Sequence, residues 1–91
     1  MGDNNSKKDL MEEIQRITDY LYQNRLSEGT KALPSLIQQL AGFASNLEQE
    51  DVPLYTNILK NIMEAMEIKD YILLSDLLIY EIIPLIDQYD W

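Results

Sequence analysis

Ninety-one residues with 46% hydrophobic and 25% charged side chains make one globular domain, too short for two cores and too apolar to stay disordered. Sixteen acids against seven bases leave a net charge of -9, which argues against nucleic acid and anionic membrane surfaces as partners and favours a basic one. Cysteine and histidine are both absent, which excludes disulfides, thiol nucleophiles, imidazole proton shuttles and the usual transition-metal sites.

Residues 1–5 are polar and have nothing to bury, so they are expected to form a disordered tail ahead of one helical domain over 6–91. This start fits the loose myristoylation pattern (Met1-Gly2-Asp3-Asn4-Asn5-Ser6) and is too polar for a signal peptide. Asn5 or Ser6 can cap the first helix, where Leu10, Ile14, Ile17 and Leu21 recur at steps of four and three. Asp9, Glu12 and Glu13 sit in its early turns, where the helix dipole favours them, and the pattern ends near Asn24.

Leu26, Thr30, Leu33, Ile37, Leu40, Ala44 and Leu47 continue as heptads and predict a second helix. Its start is ambiguous. Gly29 costs about 1 kcal/mol in a helix interior and Pro34 removes a donor, so the helix begins at Ser27 with a kink or at Thr30. Phe43 is expected to cover a core edge. Glu48, Gln49, Glu50 and Asp51 make an acidic turn without the ordered spacing of a calcium loop. Asp51 and Pro53 then form a good start for a third helix, with Leu54, Ile58, Leu59, Ile62 and Met66 as its buried face and Met63 and Met66 as gap-fillers. Asp70 caps a fourth helix after a short link, which makes helices three and four antiparallel neighbours.

Residues 70–91, DYILLSDLLIYEIIPLIDQYDW, hold more apolar surface than one core face needs. At 100° per residue, Leu74, Leu78, Ile82, Leu85 and Ile86 lie on one arc with Tyr71, Ile72, Ile79, Ile83 and Tyr89. Opposite lies a narrower seam of Leu73, Leu77, Tyr80, Pro84 and Trp91. Asp70 and Glu81 border it on one edge, Asp76 and Asp87 on the other, and no Lys or Arg follows Lys69. Pro84 leaves the Tyr80 carbonyl unpartnered and predicts a kink. Pro34 and Pro84 also occupy the second helix of successive helix pairs, a pattern compatible with duplication of a hairpin.

Residues 62–84, with Lys69-Asp70-Tyr71 and then Leu77-Leu78-Ile79-Tyr80-Glu81-Ile82-Ile83-Pro84, resemble the C-terminal half of short, uncharacterised all-helical bacterial proteins whose genes can sit near flagellar ones. Residues 65–91 are also similar to the last two helices of the flagellin export chaperone, a helical bundle that holds disordered flagellin ends. The likeness covers about a third of the chain, and that chaperone family is longer. It implies a chaperone-like bacterial bundle, compatible with the cytosol, and carries no functional residue over.

No catalytic, metal or cofactor site can be assembled from these residues. Asp76 and Asp87 are about 16 Å apart along one helix, too far for paired acid–base work. The expectation is an all-α, up-down four-helix bundle acting as a non-enzymatic adaptor. Its partner surface comprises Leu73, Asp76, Leu77, Tyr80, Glu81, Pro84, Asp87 and Trp91, docking a basic-edged amphipathic segment of another protein. Two alternatives stay open: a seam buried by the chain itself, and a homodimer or larger assembly. In a symmetric dimer, acids on both edges would face acids.

Overall fold

Helix formation follows the three-four spacing, and hairpin turns at two points join the helices into pairs. The structure, a computed structural model, describes residues 6–89. Helix α1 (Ser6–Tyr22) is followed by α2 (Leu26–Phe43), two 3-10 turns (Ala44–Asn46 and Gln49–Asp51) and α3 (Val52–Glu67). The last rod begins as α4 (Tyr71–Leu77), passes through a π turn (Leu78–Ile82) and ends as α5 (Ile83–Asp87). Among the described residues there is no strand, and the fold is an all-α helical bundle. The tail over 1–5 and its myristoylation pattern lie outside the described residues, apart from Ser6.

Both hairpins use one device. At the end of α1, Arg25 N–H donates to the Tyr20 carbonyl at 2.8 Å and Asn24 N–H to Leu21 at 3.1 Å. At the end of α3, Asp70 N–H donates to Ala65 at 2.9 Å and Lys69 N–H to Met66 at 3.1 Å. Each is a Schellman cap, with Asn24 (φ 63) and Lys69 (φ 59) in the left-handed conformation that usually falls to glycine. Asp70 then accepts from Leu73 N–H at 3.1 Å, as the sequence predicts.

The buried positions of the two hairpins run in parallel register. Leu10 and Tyr55, Ile17 and Ile62, Gly29 and Leu74, and Leu33 and Leu78 are buried pairs 45 residues apart. Past the π turn the offset becomes 46, relating Leu36 to Ile82, Leu40 to Ile86 and Phe43 to the half-buried Tyr89. The prolines do not share this register, because Pro34 corresponds to Ile79 and not to Pro84.

Helix α1 sits in the middle, packed along α2 on one side and α4–α5 on the other, while α4 also packs on α3. The stripe Leu10, Ile14, Ile17 and Leu21 is therefore buried throughout. Helices α1 and α2 approach tightly at Gly29, where an added Cβ would lie 2.6 Å from Leu21 Cδ2. The fourth side of the bundle is different. Helices α2 and α3 meet beside their link, where Tyr55 OH donates to the Leu40 carbonyl at 2.7 Å, and they do not pack along their length. The Cα extents of 33 × 30 × 19 Å accordingly describe a splayed slab.

Several sequence expectations shift by a fraction of a turn. Helix α2 runs from Leu26, one residue before the earlier of the two predicted starts, with Pro34 inside. Its core row is Leu33, Leu36, Leu40 and Phe43, rotated toward α1, while Leu26 is exposed. In α3 the buried set is Tyr55, Ile58, Ile62 and Ala65, whereas Leu54 is half exposed and Leu59 and Met66 are only partly covered. Asp51 does not cap α3 with its side chain; its carboxylate accepts from Tyr89 OH instead. Pro84 falls at the start of α5, where no donor is needed, and the irregularity predicted there is the π turn just before it.

Candidate docking face on the C-terminal rod

The core side of the last rod is a row of four-residue steps, Leu74, Leu78, Ile82 and Ile86, each fully buried. In a continuous α-helix that row drifts 40° per step. The π turn closes between residues five apart, with Ile83 N–H on the Leu78 carbonyl, and this wider turn pulls the row back over the core. Ser75 is buried beside it and donates to the Tyr71 carbonyl at 2.8 Å.

With that side fixed, the opposite side points outward. Leu73 is 42% exposed and Tyr80 69%, Pro84 is exposed and Leu77 is half-buried. Trp91 lies outside the described residues. Leu73 and Leu77 meet Asn61, Glu64 and Ile68 from the α3 end across a shallow groove of about 600 Å³. Ile68, 69% exposed in the turn after α3, extends the same apolar strip. Sequence periodicity missed Ile68 because it stands outside any helical row, although a lone aliphatic between Glu67 and Lys69 in a turn was a readable signal. Ile72, placed on the core arc by the helical wheel, is instead 54% exposed.

The acidic border divides into two functions. Tyr22 OH donates to Asp76 at 2.7 Å, and Lys7 lies 3.6 Å from the Asp87 carboxylate. Lys7 also donates to the carbonyls of Asp87 and Tyr89 at 2.9 and 2.8 Å, capping the helix end where a cation is favoured. Asp76 and Asp87 therefore tie the rod to α1. Burial and the Asp76 hydrogen bond push the Tyr22 phenol up to about 12. Glu81 is exposed and has no ion-pair partner among the described residues, and the same holds for Glu64 and Glu67 on the α3 side.

At the far end Tyr89 is clamped. Its hydroxyl donates to Asp51 and accepts from Glu48 N–H at 3.0 Å, and its ring stands edge-on to Phe43 at 5.8 Å. The hydrogen bond to Asp51 raises its pKa. Among the described residues no group of acids is arranged to hold a metal, and no helix is long and apolar enough to cross a membrane.

Residues 5–90 match a family described as Domain of unknown function (DUF8042). The chain belongs to that family. No curated protein and no solved structure matches it. The family assignment thus covers the bundle from the first helix through the clamped Tyr89, and with it the candidate face from Leu73 to Pro84.

Proposed function

We propose that this bundle is a non-enzymatic adaptor or chaperone-like module whose C-terminal rod receives an amphipathic segment of another protein. The observation that carries the reading is the alignment of Ile68, Leu73, Leu77 and Tyr80 on one outward strip beside the unpaired acids Glu64, Glu67 and Glu81. Clustered exposed aromatic and aliphatic side chains are anchors for a helical ligand. The acids favour a ligand with basic edges. The resemblance in aliphatic spacing of residues 65–91 to the last two helices of the flagellin export chaperone is in keeping with a client-holding role in a bacterial cytoplasm.

Homo-oligomerisation through the same strip is the competing reading, and Glu81 would then face like charge. Two variants decide between docking and structure. Tyr80→Glu leaves a charged group in water, so its thermal melt should match the parent while capture of the native partner from source extract is lost. Leu77→Glu, at a half-buried position, should lower the melt modestly. Complete unfolding by Leu77→Glu would show the seam to be core and end the docking reading. Sedimentation that gives a dimer dispersed by Tyr80→Glu would establish the assembly reading instead.

A further inference from the structure

The open fourth side of the bundle is a second, larger concave surface. Beyond the Tyr55–Leu40 hydrogen bond, α2 and α3 enclose a groove of about 850 Å³. Pro34 and Ile37 line it from α2, and Leu59, Met63 and Met66 from α3. Met63 is 56% exposed, and its apolar neighbours are only partly covered. The apolar arcs of α2 and α3 are thus both wider than the chain covers, and the uncovered halves face each other.

Register between the two hairpins shows what is missing. The contact of α1 with α4 corresponds to that of α3 with α2, and Tyr22 and Asp76 correspond to Glu67 and Lys31 at the 45-residue offset. The first pair is hydrogen-bonded, while Glu67 and Lys31 form no ion pair. The groove is a seam of the bundle left without its filling.

Its length and charge select the filling. From Thr56 to Glu67 the α3 wall runs about 17 Å, three helical turns. Two helical walls with a largely apolar lining fit a third helix that anchors at i, i+3 or i+4, and i+7. Among the described residues Glu64 and Glu67 stand at the groove without ion-pair partners, and Lys60 is the only base lining it. The C-terminal rod of a second copy is a poor fit, because its apolar stretch over residues 72–80 carries Asp76, is followed by Glu81 and has no cation.

We infer that the α2–α3 groove receives a three-turn amphipathic helix of another protein, with aliphatic anchors on one side and Lys or Arg along the edge that meets Glu64 and Glu67. The surface is separate from the strip on the C-terminal rod and shares with it only those two glutamates.

Two synthetic helical peptides test this with the full chain. Both carry leucines at i, i+3 and i+7; one has lysines along its edges and the other glutamates. The basic peptide should shift the NMR signals of Ile37, Leu59, Met63 and Met66 saturably. Met63→Glu should weaken it about tenfold or more, while Tyr80→Glu leaves affinity unchanged. Glu64→Lys combined with Glu67→Lys should reverse the preference between peptides. Thermal melts of the exposed-site variants serve as the folding control. No saturable binding, or equal affinity for both peptides, overturns the inference. So do shifts confined to Leu73, Leu77 and Tyr80 with loss on Tyr80→Glu, a result that would leave the proposed function standing. Self-association of the chain abolished by Met63→Glu would name a second copy as the occupant and also overturn it.

Discussion

Helices α1 and α3 begin with similar endowments, 17 and 16 residues with an apolar stripe at three-four spacing, and end in different circumstances. Helix α1 lies between two neighbours and buries its stripe completely; α3 packs along one neighbour and leaves Leu54, Leu59, Met63 and Met66 partly or largely in water. The seam of α1 with α4–α5 is tied at both ends, by Lys7 on the last carbonyls and by Tyr22 on Asp76. The seam of α3 with α2 is tied at one end only, by Tyr55. Amphipathicity therefore states how much apolar surface a helix can bury, and the number of neighbours states how much it does.

The sharpest way to break this comparison is to remove a side chain from each seam. Leu78→Ala, fully buried beside α1 and α3, should cost about 3 kcal/mol in urea unfolding through lost transfer energy and a residual cavity. Met63→Ala should cost under about 0.5 kcal/mol because the side chain is already mostly hydrated. Equal losses would show that the α2–α3 seam is closed in solution.

A smaller effect is expected where α1 and α2 touch. Gly29→Ala gains about 1 kcal/mol of helix propensity but drives its Cβ into Leu21, and overpacking costs about 1–3 kcal/mol. The net should be a loss of about 1 kcal/mol in the same assay. A gain would mean that Leu21 can retreat and that this contact is looser than the fully buried stripe implies.

Tyr55→Phe removes the hydrogen bond at the closed end of the α2–α3 seam and should cost about 1 kcal/mol. Its phenol is pushed up by burial, and that of Tyr22 is pushed up to about 12 by partial burial and its bond to Asp76. A phenol whose folded pKa lies above the unfolded value of 10.0 contributes stability that is whole below pH 10 and declines as pH rises through that value toward the folded one. Urea midpoints should therefore fall between pH 10 and 12 in the parent, and less so in Tyr55→Phe. An identical decline in both would assign the alkaline loss to other groups.

Much of this architecture can be read from residue spacing, and what cannot has a common cause. The steps Leu10, Ile14, Ile17 and Leu21 are all buried because α1 is covered from two directions, so small errors in the centre of the arc do no harm. In α2 and α3, covered from fewer directions, the same kind of reading chose Leu26 and Leu54 and passed over Leu36, Tyr55 and Ala65. On the docking face, the outward positions of Leu73 and Tyr80 followed from the double arc of the last helix. Partners for Asp76 and Asp87 did not, because Tyr22 and Lys7 lie 54 and 80 residues away and only the packing of α1 brings them in. The α2–α3 groove does not follow from periodicity alone, although Leu59, Met63 and Met66 give α3 the same excess of apolar surface as the C-terminal rod.

The π turn also has a meaning in the arithmetic of insertions. The offset between equivalent buried positions grows from 45 to 46 across it, the mark of one extra residue in the second hairpin relative to the first. That residue is absorbed as a bulge and not passed down the helix, which lets Ile82, Ile86 and Tyr89 stand where Leu36, Leu40 and Phe43 stand in the other pair. A chain one residue shorter between Leu78 and Ile82 would form an uninterrupted helix there. The side chains after the deletion would keep their places, as Leu36, Leu40 and Phe43 do in the uninterrupted α2, and Tyr89 would stay latched on Phe43 and Asp51 at the turn that begins α3.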